Sequence, residues 1–306
     1  MLETREHIEL NTSAIDRGHK SIRGAVKKCF KSHIWTINNM PSGRRRGIEA
    51  VLFNLMKTID LLDLDSVDGL SLDVWHETRD DLSDAFQDNC TSVELAALVD
   101  TARKFNIPKQ YLFDPYRGAD FWIRNREFQT FDELEVFCSN VGGASLAATM
   151  PVLGVTRKGW DVQAIKCGKA IMLTQILANA VNDFKQNKVF FALEDIEDCK
   201  VDIPRLKLRR ESKSFRFLIR LYASRIEKLF YECADLASFL DFDGQRSLKS
   251  LLGRFWKTLL KMKIEPECIL SEEGVLSSRD LLSLKSRHLM GMEKKIPIVH
   301  EQQSHH

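Results

Sequence analysis

No two cysteines of this chain form a Cys-x-x-Cys pair. The seven, Cys29, Cys90, Cys138, Cys167, Cys199, Cys233 and Cys268, are scattered. Cys138, Cys167 and Cys233 lie inside apolar helical patterns and read as buried free thiols of a reducing compartment. The eight histidines show no metal-ligand spacing. Prolines are few, seven in all, and most stand between helical stretches. No segment alternates apolar and polar residues between hairpin turns, which argues against a β fold. No run of about 18 apolar residues occurs, so no spanning helix is expected. The longest mostly apolar stretch, Val141 to Val155, holds Gly142, Gly143, Pro151 and Gly154 and reads as a buried, kinked helix. The N-terminal MLETREHIEL is charged and has no apolar centre, unlike a signal peptide. A cytoplasmic protein, or one held peripherally at a single membrane face, is expected.

Charge of one sign is also lacking. The net charge is +2, from 45 basic and 43 acidic residues, and makes no global case for nucleic acid. Basic residues do cluster locally, at Arg44-Arg45-Arg46 and at Arg205, Lys207, Arg209, Arg210, Lys213 and Arg216. Solvated loops are the ordinary reading of such clusters; phosphate or lipid-headgroup contact is the other.

What the chain has is helical period. Leu218, Leu221, Tyr222, Ile226, Leu229, Phe230, Cys233 and Leu236 recur at three and four residues. Ile165, Leu173, Ile176, Leu177, Ala180, Val181 and Phe184 do the same, as do Ile48, Val51, Leu52, Leu55, Ile59 and Leu62. Helices are predicted near 14–38, 43–63, 71–88, 92–105, 109–114, 118–125, 130–153, 158–187, 193–199, 213–240, 244–262 and 276–289. With 306 residues, 44% hydrophobic and no internal repeat, the simplest reading is one all-α domain over about residues 15–292. Residues 1–14 and 293–306 are expected to be flexible termini.

Three segments, in order, carry a resemblance. The first is GHKSIRGAVKKCF followed by RRRGIEAVLFNLMKTIDLLDL; the second is FDELEVFCSNVGGASL; the third is CGKAIMLTQILANAVNDFKQNKVFF. Together they resemble the squalene/phytoene synthase family, which joins two prenyl diphosphates head to head. In that register Ser21 holds the family's serine, Arg46 its arginine, Phe53 its tyrosine and Lys57 its second arginine. Asp60 falls on the first aspartate of DDxxD, Leu64 replaces the aspartate four residues on, and Asp63 lies beside it. Phe137 replaces the second tyrosine, and Cys138, Val141 and Gly143 match. Met172 and Gln175 replace glutamine and asparagine, Asn179 replaces the first aspartate of the second acidic motif, Asp183 keeps the last, and Lys188 replaces arginine.

The resemblance implies a helical isoprenoid-synthase-type bundle around a central cavity. It implies a prenyltransferase acting on farnesyl or geranylgeranyl diphosphate, with Mg²⁺ assisting diphosphate departure. Asp60, Asp63, Asn179 and Asp183 would hold the metal. Ser21, Arg46, Lys57, Gln175 and Lys188 would grip the diphosphate. Phe53 and Phe137, at the catalytic tyrosine positions, would line the chain pocket with the Val141–Leu146 helix face. The departures thin the charged chemistry while keeping apolar shape. A catalytically inactive member that binds a lipid or prenyl ligand, or scaffolds a protein assembly, therefore stands beside the enzyme reading. A second acidic match, RDDLSD at Arg79–Asp84, lacks the family's flanking residues and reads as an exposed acidic face.

Overall fold

Side-chain caps start several of the helices. A computed structural model describes residue 8 and residues 10–290, except 32, 65–69, 209, 211 and 272–273. The helices are α1 (Thr12–Cys29), α2 (Ser42–Asp63), α3 (Leu70–Ala85), α4 (Val93–Lys104), α5 (Gln110–Asn125), α6 (Phe131–Cys138), α7 (Ala144–Leu153), α8 (Asp161–Lys185), α9 (Leu193–Asp198), α10 (Ile203–Lys207), α11 (Lys213–Glu232), α12 (Phe242–Ile264) and α13 (Ser278–Met290). Asn11, Ser92, Thr130, Ser212 and Asp241 each accept an N–H of the first turn that no carbonyl can reach. At α6 the Glu133 carboxylate reaches back to the Gln129 N–H at 2.7 Å, so the entering chain is held as well.

Among the described residues there is no strand, only isolated bridges such as that between Ile8 and Cys90. The chain forms one all-α domain, as the periodicity predicts. α8 is its axis. The helix buries Ala164, Cys167, Gly168, Leu173, Ile176, Leu177, Val181 and Phe184, and packs against α6, α7, α10, α11 and α12. α2 lies across the bundle, against α1, α5 and α7. Between α6 and α7 the helix widens into a π turn at Ser139–Gly143. Glycines let this turn meet α8 backbone to backbone: a methyl group at Gly168 would stand 2.3 Å from the Gly142 carbonyl oxygen. The continuous segment Phe131–Leu153 is long and apolar enough to cross a membrane by length and composition. Here 72% of its most apolar window is buried inside the bundle, so its apolarity has a core to serve.

Four boundaries differ from the sequence reading. α1 stops at Cys29, and a 3₁₀ turn at Ile34–Ile37 carries the chain to α2. The polar run after Phe30 breaks the apolar stripe there without any Gly or Pro to announce it. The two helices expected at 109–114 and 118–125 are one, with Pro115 buried inside α5. The helix expected at 213–240 ends at Glu232, before a second 3₁₀ turn at Leu236–Phe239. α10 was not anticipated; Pro204 starts it, helped by the Asp202 cap, because a proline in the first turn lacks only an N–H with no helical partner. The expectation of loose termini falls mostly on residues 1–7 and 291–306, outside the described residues; Ile8 donates to the Cys90 carbonyl at 2.9 Å, and α1 is already helical at Thr12.

Candidate functional site

Between α2, the π turn, α7, α8, α12 and the Ile34–Ile37 turn lies a cavity of about 360 Å³. That is within the range of roughly 300–1,000 Å³ found for small-molecule sites. Its wall is aliphatic and aromatic: Ile48, Leu52, Leu55 and Ile59 from α2, Leu146 and Leu153 from α7, Ile171 and Met172 from α8, and Leu248, Leu251 and Phe255 from α12. The α2 residues recur at three and four, which is how one helix face comes to line a hole.

No lining residue is an Asp, Glu, Lys or Arg. Three of its four hydroxyls are turned to backbone. Ser145 donates to the Val141 carbonyl at 2.6 Å, Thr149 to Ser145 at 2.8 Å and Ser247 to Thr36 at 2.7 Å. Such bonds leave an effectively apolar surface. His33 stacks on Phe255, with ring centroids 5.1 Å apart. Burial, with the Arg254 guanidinium adding to it, pulls the imidazole down to about 3, so it stands neutral in the wall. Gln175 and Asn179 remain as the polar groups of the α8 face.

Charge gathers one turn beyond the cavity, where α2 and α8 end. Ile59 and Asn179 line the cavity, and Asp63 and Asp183 each follow four residues later on the same faces. α8 closes with a left-handed residue, Asn187 (φ 59°). The Asn187 N–H then bonds the Phe184 carbonyl at 3.0 Å and the Lys188 N–H bonds that of Asp183 at 2.9 Å. This Schellman turn folds Lys188 back over the helix end. The buried Lys188 ammonium donates to Asp63 at 2.6 Å. It also complements the negative ends of both helix dipoles. Burial pushes the Asp183 carboxyl up to about 7, against the pull of Lys188; the Asp63 carboxylate adds to the rise. Burial also raises Asp60, against the pull of Lys57.

The structure thus brings together Asp60, Asp63, Asp183 and Lys188 near Asn179 and Gln175. Other expected residues lie elsewhere. Arg46 pairs with Asp16 at 3.0 Å on an exposed face. It begins α2 whereas Asp63 ends it, about 25 Å away along the helix. The Ser21 hydroxyl donates to Glu94 on the outer face of α1 and α4. Neither reaches the charged end, because both are held by partners at the other side of the bundle. Lys57 is exposed, its ammonium 5.6 Å from the Phe53 ring centre. Phe53 is buried one residue off the lining face of α2. Phe137 belongs to an aromatic cluster, 5.0 Å from Phe128 and 6.0 Å from Phe190 by ring centres. Val141 fills the space at Gly118, where an added methyl would meet it at 2.5 Å. These three are core beside the cavity and not its wall. The RDDLSD carboxylates of Asp80 and Asp84 are exposed, Asp80 paired with Arg79 at 2.6 Å.

The donor set does not suit a magnesium ion. Mg²⁺ takes near-octahedral oxygen, usually with one or two carboxylates. Among the described residues no three His, Cys, Asp or Glu side chains are grouped to hold a metal. Asp63 is paired with Lys188, Asn179 carries no charge, and burial raises the Asp183 carboxyl to about 7.

The helical bundle with an apolar central cavity is the all-α isoprenoid-synthase fold. It superposes on a dehydrosqualene synthase crystallised with a ligand with a TM-score of 0.77, at 18% identity, covering 91% of this chain and 97% of that one. A squalene synthase of Alicyclobacillus acidocaldarius superposes with a TM-score of 0.73 at 16% identity, covering 84% and 97%. The squalene/phytoene synthase family profile matches residues 26–261, so the chain belongs to that family. Among curated relatives, the 15-cis-phytoene synthase of Synechocystis sp. is 29% identical over 200 residues, 60% of this chain and 58% of that protein. The phytoene synthase of Arthrospira platensis is 24% identical over 209 residues, 64% and 67%. The matched stretch thus spans about three fifths to two thirds of these relatives.

Proposed function

We propose that the cavity binds an isoprenoid chain, its polar end toward Asn179 and the Asp63–Lys188–Asp183 cluster, and that this binding does not depend on magnesium. One observation carries the reading: a volume of about 360 Å³ with no Asp, Glu, Lys or Arg in its wall, and the Lys188–Asp63 pair beyond Ile59 and Asn179, the last residues of α2 and α8 that line it. Burying a prenyl chain there is favourable at about 25 cal/mol per Å² of apolar surface. Lys188 supplies a compact cation for a phosphate or hydroxyl end group. The ligand-bound dehydrosqualene synthase and the phytoene synthase relatives support isoprenoid diphosphates as the ligand class. In this reading the chain is a binding member of the family with its ionisation chemistry reduced.

Prenyl transfer is the second reading, and a specific arrangement favours it. Asp60 and Asp63 stand at the end of α2 and Asp183 at the end of α8, carboxylates on two helices that would have to hold a metal in that reading. Incubation with radiolabelled farnesyl and geranylgeranyl diphosphate, with and without Mg²⁺, separates the two. The binding reading expects neither a C30 or C40 product nor released diphosphate. Turnover that needs Mg²⁺ and is lost in Asp183→Ala establishes transfer instead.

A further inference from the structure

α10 and α11 carry a surface that neither the fold nor the cavity explains. Between residues 205 and 220 the described residues include Arg205, Lys207, Arg210, Lys213, Arg216 and Arg220 and no carboxylate. The sequence adds Arg209 and Glu211, which cancel, so this stretch holds six positive charges in a chain of net +2. Two carboxylates close by in sequence, Asp202 and Asp195, are engaged elsewhere. Asp202 caps α10 through the Arg205 N–H at 3.0 Å, and Asp195 is held by the Arg225 guanidinium at 2.6 and 3.0 Å.

Within the same stretch two large apolar side chains face solvent, Leu208 at 67% exposure and Phe217 at 62%. Phe217 sits between Lys213 and Arg220 on the outer face of α11, at spacings of four and three. Two other exposed apolar residues lie in different company: Phe242 stands between Asp241 and Asp243, and Ile264 precedes Glu265. Among the described residues, Leu282 on α13 also stands between cations, Arg279 and Lys285, but only in the 205–220 stretch do two exposed apolar side chains coincide with a run of six cations.

We infer that the α10–α11 surface docks on an anionic lipid membrane, its cations on the headgroups and Phe217 and Leu208 in the interface. Basic residues flanking interfacial Phe and Leu are the features by which a helix lies on such a membrane. A nucleic-acid partner would use the cations but gives Leu208 nothing to do. The surface adjoins the polar end of the cavity: α10 packs on α8, and Lys207 donates to Asn187 at 2.6 Å, next to Lys188. If the cavity holds an isoprenoid chain as proposed above, docking here presents that end to the phase in which such chains dissolve.

Cosedimentation of the full chain with isoprenoid-free vesicles tests the docking apart from the cavity. Vesicles of phosphatidylcholine with about one third phosphatidylserine should carry the protein down at physiological salt, and pure phosphatidylcholine should not. Lys213→Gln with Arg220→Gln should weaken binding roughly 25-fold, at about fivefold per cation. Phe217→Ser should weaken it at least about threefold. All three side chains are exposed or lie on the outer face, and unchanged circular dichroism and melting confirm the fold of each variant. The inference is overturned if anionic vesicles fail to sediment the protein, or if the variants sediment like the wild type. It is equally overturned if duplex DNA binds as tightly and is indifferent to Phe217→Ser.

Discussion

Replacing Asp183 by Asn should make the protein more stable above neutral pH. The folded carboxyl titrates at about 7, whereas an unfolded aspartate titrates near 3.9. Between those values the folded state binds a proton that the unfolded state lacks. This contribution to stability is complete below about pH 4 and is lost as pH rises through 7. Three units correspond at most to about 4 kcal/mol. Asp183 is half-buried, so screening reduces this to roughly 2 kcal/mol. Asn keeps the shape and cannot ionise, and Lys188 keeps its bond to Asp63. Urea unfolding followed by circular dichroism in EDTA, at pH 5 and pH 8, reads the difference. The variant should exceed the wild type by about 2 kcal/mol at pH 8 and by under about 1 kcal/mol at pH 5. Parallel curves for the two proteins, or a variant weaker than the wild type at pH 8, would refute the placement of this carboxyl.

Gly168→Ala sets a methyl group 2.3 Å from the Gly142 carbonyl oxygen and 2.7 Å from the Gly143 Cα. A loss of about 1–3 kcal/mol or more is expected in urea melts, since neither helix can retreat cheaply. Arg225→Ala leaves Asp195, 4% exposed, without the guanidinium that grips both its oxygens. The expected cost is about 3–5 kcal/mol, and Asp195→Asn in the same background should recover part of it. Leu55→Trp projects an indole into the cavity from α2. Binding of a fluorescent prenyl analogue should fall at least about tenfold, while the melting temperature moves by only a few degrees.

The long stripes of α8 and α11 were legible because a three-and-four apolar repeat over more than five turns has one physical solution, a helix with a buried face. The 3₁₀ break after Cys29 was not legible, since polar residues interrupt a stripe whether or not the helix continues. Pro115 misled in the other direction: within α5 it is buried and the helix runs on. At the site, the ordered motifs placed Asp63, Asp183 and Lys188 in one family register, and the fold gathers them. What periodicity cannot tell is which apolar face meets a partner and which meets a void. Leu52 and Leu55 look no different from Phe53 in sequence, yet the first two line the cavity and Phe53 packs beside it. Arg46 and Ser21 were expected at the diphosphate because motif order says nothing of distance, and a helix as long as α2 separates its ends.

The central claim is that the apolar cavity, and not a metal cluster, governs ligand binding. Calorimetric titration of the protein with farnesyl diphosphate, in Mg²⁺ and again in EDTA, tests it most directly. Saturable binding is expected in both buffers, with dissociation constants within about threefold of each other, under 1 kcal/mol. Binding that appears only with Mg²⁺, or tightens by tenfold or more and is abolished in Asp183→Ala, would contradict it.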